Sequence, residues 1–268
     1  MKSKSFLSLF DISLSFLTTF IVSAVCHDPA GLLNLKLFNE QYMVNRKKIN
    51  ASAETVGVLT RYDVKQGYQE KFREALSKYV EDASMKKTNI MAEGYYEHEH
   101  PSIHWVIERW RSKTELNKNR NGANFKTVQL LSERMLIHPA KTIFVKDLEP
   151  LSKDEWRREP EKEDTPITIM LFVDSRAGTA DLFKKVYHTA MPQFRAESGV
   201  INYQLSQLEE DSTQFVTYEK FKNEEAFQYH LKFPPIEPVI NYLNTNIKKQ
   251  PFQTGLHRLI RFAPVVHQ

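Results

Sequence analysis

The chain has 268 residues, 41% of them hydrophobic and 26% charged, which are ordinary globular values for one large or two small domains. Its formal charge of +4 is a weak field, and the basic residues alternate with acids, as in Lys220-Phe221-Lys222-Asn223-Glu224-Glu225, so no basic stripe marks a nucleic-acid binder. A single cysteine, Cys26, excludes an intrachain disulfide and a multi-cysteine metal site.

At the amino terminus, Lys2 and Lys4 precede an apolar stretch from Ile12 to Val25, and Val22-Ser23-Ala24 offers small residues for cleavage after Ala24. Residues 1–24 therefore read as a signal peptide and the protein as exported or periplasmic. An uncleaved membrane anchor and a lipid on Cys26 are alternatives. Translation from Met43 would instead make the protein cytoplasmic. Residues 25–54 read as a linker.

The next elements come twice. Ile103 to Arg111 ends in Glu108-Arg109-Trp110-Arg111, and Gln214 to Lys222 ends in Glu219-Lys220-Phe221-Lys222, 111 residues on. Around this anchor, Val56 to Asp63 and Ile167 to Asp174 are β-branched apolar runs that predict strands. A helix follows each, with Tyr68, Phe72, Ala75, Leu76, Tyr79 and Val80 on one face of the first. Leu182, Phe183, Val186, Tyr187, Ala190, Met191 and Phe194 share a face of the second, which contains Pro192.

Hairpins follow: Ile90 to His98 with Ile103 to Arg111, and Val200 to Gln207 with Gln214 to Lys222. Second helices begin near Thr114 and Asn223. The first runs to about Met135; the other breaks near Pro234-Pro235 and runs to about Ile247. Closing strands fall at Lys141 to Asp147 and His257 to Phe262.

The order βαββαβ, twice, predicts an α+β fold of two tandem ferredoxin-like units, 55–148 and 166–264. Residues 149–165 read as a surface linker in which Trp156 should dock on something apolar. Each sheet has a second face to cover, which a tandem chain can do by packing sheet on sheet. Glu97-His98-Glu99-His100 is the one tight histidine cluster, and without a third ligand nearby it reads as a strand end rather than a metal site.

The run Glu197-Ser198-Gly199-Val200-Ile201-Asn202-Tyr203, then Phe215 to Phe221, then Glu225 to His230, resembles the antibiotic biosynthesis monooxygenase family over roughly Pro166 to Pro264. That family forms dimeric α/β barrels, and some members oxygenate hydroquinones with dioxygen and neither metal nor flavin. The resemblance implies a fused pseudo-dimer, with further homo-oligomerisation left open. It also implies a small aromatic substrate such as a quinol, dioxygen as co-substrate and no cofactor. The first unit departs from the pattern: Asn119 stands where His230 is expected, Trp110 where Phe221 is, and the acidic-Gly turn is not evident. It reads as degenerate.

Oxygenating a dihydroxyaromatic requires an apolar slot, a base and a donor for the developing oxyanion. His230 is the candidate base, because imidazole titrates near neutrality. It is expected to reach a hollow enclosed between the two sheets. Asn202, Tyr218, Phe221 and Phe227 are candidate substrate contacts, and Glu219 is a candidate orienting group. Asn202 and Tyr203 lie on opposite faces of one strand, as do Tyr218 and Phe221 on the next, so each pair can give only one residue to a given pocket. Trp105, Trp110 and Asn119 are the comparable positions of the first unit. Two other readings stay open: a non-catalytic ligand-binding barrel, and a haem-binding or haem-degrading protein with a helix histidine as axial ligand.

Overall fold

The computed structural model describes residues 55–250 and 252–264; the signal-peptide, Cys26, Met43 and first-linker expectations lie outside the described residues. The first half runs β1 (Val56–Asp63), α1 (Gln69–Met85), β2 (Asn89–Glu97), β3 (Ile103–Trp110), α2 (Lys113–Arg120), α3 (Ala123–Met135) and β4 (Lys141–Leu148). A short α4 (Lys153–Trp156) intervenes. The second half runs β5 (Ile167–Asp174), α5 (Ala180–Arg195), β6 (Val200–Leu208), β7 (Gln214–Phe221), α6 (Glu224–His230), a 3-10 turn (Pro234–Ile236), α7 (Glu237–Thr245), a second 3-10 turn (Phe252–Gly255) and β8 (Leu256–Ala263). Among the described residues no helix is long and apolar enough to cross a membrane.

Each half is a ferredoxin-like βαββαβ unit, and the two close into one antiparallel barrel in the order β1-β3-β2-β8-β5-β7-β6-β4. Closure is reciprocal. The last strand of each half pairs with the second strand of the other: Val145 opposite Leu208 through Leu148 opposite Leu205, and Gly94 opposite Ala263 through Glu97 opposite Leu259. Pairing at both seams leaves neither sheet with a free edge, which removes the hazard of unpaired strand edges. The chain is thus an internal pseudo-dimer.

The inner strands β1, β3, β5 and β7 are buried on both faces, whereas the seam strands β4 and β8 are buried only in part. Outward, Val58, Tyr62, Phe72, Leu76 and Trp110 form one helix-on-sheet core, and Phe183, Tyr187, Phe194, Tyr203 and Phe221 form its counterpart in the second half. Inward, Leu59, Tyr95, Trp105, Ile107, Met170, Tyr218 and Leu259 fill the barrel. The space between the sheets is therefore packed with side chains over most of its length, not an open apolar hollow.

Three local departures have physical causes. The second helix of the first half is broken between Arg120 and Ala123, because Asn121-Gly122 is a poor helix-forming pair and Gly122 takes an extended ψ of 163° as the cap of α3. The break matches the one at Pro234-Pro235. Tyr68 and Leu182, expected on buried helix faces, are exposed: Tyr68 caps α1 and Leu182 lies in the first turn of α5, ahead of the residues that pack on the sheet. The stretch expected as a surface linker folds in part: Ser152 and Glu155 form a capping box that starts α4, which delivers Trp156 into the barrel against Tyr218, 5.4 Å between ring centres. The Arg109 guanidinium stacks on the indole at 5.0 Å and binds Asp147 at 2.8 Å.

Candidate functional site

His230 ends α6, started by the Asn223 side chain accepting from the Ala226 N–H. The ring is buried, 1% exposed, in the outer core of the second half. It faces the helices' side of the sheet, not the barrel interior, so the expected route from His230 to a space between the sheets does not exist. Instead it sits within an aromatic cage: Phe194 at 4.8 Å, Phe221 at 5.2 Å and Tyr203 at 5.3 Å between ring centres. Nδ1 lies 2.7 Å from Glu197 Oε1. The second oxygen of Glu197 is buried with no hydrogen-bond partner among the described residues.

The turn carrying Glu197 is held to α6 by close packing. A Cβ on Gly199 would fall 2.4 Å from the Ala226 Cβ, far inside contact distance, and the Gly199 carbonyl accepts from the Lys222 N–H at 2.9 Å. Gly199→Ala is therefore expected to push α6 off the sheet and part Glu197 from His230. The melting temperature should drop by a few degrees, which thermal unfolding of the two proteins checks.

Glu219 lies on the same outer face. It is buried, and so not the surface partner of Lys220 or Lys222; Oε1 accepts from Thr217 Oγ1 at 2.7 Å and Tyr203 Oη at 3.1 Å. Burial raises its pKa above the ordinary carboxylate value, partly opposed by the nearby His230 and these hydrogen bonds. The group that grips the imidazole directly is Glu197, not Glu219. Burial also pushes the Tyr203 hydroxyl well above its ordinary value, and the neighbouring Glu219 adds to this.

The candidate residues do not form one cluster. His230, Glu219, Phe221 and Phe227 share the outer core, with Phe221 and Phe227 5.4 Å apart. Tyr218 and Asn202 project to the other side of the wall. Tyr218 Oη binds Glu93 Oε2 at 2.6 Å and Tyr95 Oη at 2.7 Å inside the barrel, and the Asn202 amide donates to the Glu155 carbonyl of α4. On β6 the residue that meets His230 is thus Tyr203. Sequence reasoning assigned no role to Glu197 or Phe194, although the acid of the Glu197-Ser198-Gly199 turn was itself a visible signal.

The first half builds a different site at the matching place. Asn119, where His230 would be, is buried, and neither its Oδ1 nor its Nδ2 has a partner among the described residues. Glu108, the counterpart of Glu219, accepts from Tyr79 Oη at 2.8 Å and Trp110 Nε1 at 3.0 Å, with Arg120 3.6 Å away. Burial raises its pKa, opposed by Arg120 and these donors. Near this cluster opens a cavity of about 670 Å³ whose lining includes Thr60, Tyr62, Phe125, Val128, Leu136 and Ile137. Trp105 lies in the barrel interior, away from Trp110 and Asn119. Among the described residues no group of three or more His, Cys, Asp or Glu side chains is placed to hold a metal ion, and His98 lies exposed beside Glu99.

Solved structures that share this double fold include the following three. A candidate monooxygenase from Lactobacillus acidophilus NCFM superposes with a TM-score of 0.63 at 13% identity, over 78% of this chain and 94% of its own. A candidate monooxygenase from Fusobacterium nucleatum subsp. nucleatum gives 0.65 at 10% identity, over 78% and 93%. An anthrone oxidase-like protein gives 0.55 at 13% identity, over 79% and 93%. At these identities the likeness is one of fold. No curated protein matches the sequence. The model of the antibiotic biosynthesis monooxygenase family matches twice, over residues 55–129 and 166–237, once in each half of the barrel. With more than half its residues covered by those two matches, the chain belongs to the antibiotic biosynthesis monooxygenase family.

Proposed function

We propose that this protein is a cofactor-independent monooxygenase that oxygenates a small aromatic such as a quinol in the second half, with His230 as the base. Family membership supports the monooxygenase class. The observation that carries the residue assignment is the buried Glu197–His230 pair inside an aromatic cage. With Nδ1 engaged by a carboxylate, Nε2 is the nitrogen left to take a substrate proton, and the imidazolium that forms is stabilised by the same carboxylate. A hydroquinone anion gives electrons to dioxygen more readily than the neutral diol. One oxygen atom then enters the ring, the other leaves as water, and the substrate itself supplies the electrons as it becomes a hydroxyquinone.

Phe194, Phe221 and Phe227 would provide the apolar wall and Tyr203 a hydroxyl donor for the developing oxyanion. The signature to measure is oxygen uptake with a hydroquinone panel, with one atom from labelled dioxygen in the product. If no quinol raises uptake above that of His230→Ala, the reading falls.

A second reading applies to the first half, where the imidazole is replaced by Asn119 and a cavity of about 670 Å³ is present. Here we infer ligand binding without turnover. A haem role would draw on the same buried His230 and has no observation of its own in its favour.

A further inference from the structure

One mouth of the barrel carries a pocket that the oxygenase reading does not use. Residues from both halves converge there around a cavity of about 320 Å³, within the range of small-ligand sites: Arg61, Trp105, Lys141, Phe172, Lys249 and His257 among them. Its apolar side is a triad of rings, with Trp105, Phe172 and His257 5.7 to 6.0 Å apart. The triad is fixed from behind, because buried Glu97 accepts from Trp105 Nε1 at 2.9 Å and meets His257 Nδ1 at 3.0 Å. That bond spends one nitrogen of His257 and leaves Nε2 for other use.

The polar side is cationic. Arg61, Lys141 and Lys249 line it against one carboxylate, Asp174, which already lies 2.8 Å from Lys248. Arg61 meets Asp63 through Nε at 2.8 Å, a contact that leaves the terminal nitrogens of the fork for a second carboxylate. An apolar ring surface facing converging cations is complementary to a planar ring bearing an anionic group.

The geometry points to a small aromatic carboxylate as the ligand of this mouth, with its ring against Trp105, Phe172 and His257 and its carboxylate between Arg61 and Lys141. The site is separate from the His230 cage, which lies across the barrel wall on the outer face of the sheet, and it draws on both halves. It therefore forms only in the closed barrel.

Calorimetric titration of the full chain with benzoate, and with benzamide as its uncharged analogue, tests the assignment. Benzoate should bind saturably and benzamide about tenfold more weakly or worse. Arg61→Gln with Lys141→Gln should cut benzoate affinity by at least about tenfold, whereas His230→Ala should leave it within about twofold. Circular dichroism of the double variant shows whether its fold is kept, and the benzoate-to-benzamide ratio of the unaltered protein stands whatever that variant does. Equal binding of the two compounds, no benzoate binding at millimolar concentration, or loss in His230→Ala with retention in the double variant would each overturn the proposal. None of these outcomes depends on quinol turnover.

Discussion

Replacing His230 with alanine is expected to lower quinol-dependent oxygen uptake by about two to four orders of magnitude, the usual range for a positioned acid-base group. The truncation also leaves a void among Phe194, Tyr203 and Phe221, so a loss of activity alone would not separate chemistry from packing. His230→Asn separates them. It installs the residue that the first half carries at Asn119, keeps a polar side chain of moderate size, and should be as inactive as alanine while melting closer to the unaltered protein. Glu197→Gln should sit between: the amide can hold the ring but cannot stabilise an imidazolium, so the rate falls without vanishing. Steady-state oxygen-electrode assays across pH, with thermal melts of the same preparations, give the readout. Full activity in His230→Asn would remove the imidazole from the mechanism.

The largest stability effect should come from inside the barrel, at Lys220. Glu93, 5% exposed, receives Lys220 Nζ at 2.7 Å, Arg261 Nη1 at 3.0 Å, and the hydroxyls of Tyr95 and Tyr218, each at 2.6 Å. Burial by itself would raise this carboxyl, yet Lys220 and Arg261 beside it bring it from 4.5 down to about 2. Cutting one partner from a buried ion pair costs about 3 to 5 kcal/mol, so Lys220→Met should shift the denaturation midpoint accordingly. The pH dependence has a definite sign. Because the folded value lies below the unfolded one, the network's contribution is complete above about 4.5 and is lost as pH falls from there toward about 2. In Lys220→Met the folded value rises, and this window narrows from its acid end. Glu108 and Glu219, both raised by burial, act in the opposite sense but equally in both proteins, so they cancel in the difference. Urea denaturation of the two proteins between pH 7 and pH 3 should show a gap that narrows in acid. A gap independent of pH would mean that packing, not the ion pair, sets the cost.

The repeat was legible because the anchor at Glu108 and Glu219 recurs in register, and Val56–Asp63 and Ile167–Asp174 are short apolar-rich runs with β-branched residues that fit strands. The parity of the strands was legible too: Asn202 and Tyr203 do face opposite ways, as do Tyr218 and Phe221. What could not be read was which face is which. In a half-exposed sheet, polar and apolar residues alternate and orient the strand, but here both faces are buried, and β7 is covered from Phe215 through Phe221. Asn202 and Tyr218, named as candidate substrate contacts beside His230, therefore turn out to lie across the wall from it. Glu197 was given no role because its contact with His230 spans 33 residues, so the acid of the turn was visible but its partner was not. Trp156 needed a partner, but only closure of the barrel shows which.

The outer strands of each half meet those of the other, β4 lying beside β6 and β8 beside β2. Cutting the molecule at its midpoint would not yield two self-sufficient pieces. Each would be left with two naked borders of unsatisfied amides and carbonyls, together with an inner surface stripped of its cover. A severed piece must find another like itself, recapture its lost companion, or aggregate. Covalent fusion guarantees unlike companions, and that guarantee lets one piece hold an imidazole where the other keeps an asparagine.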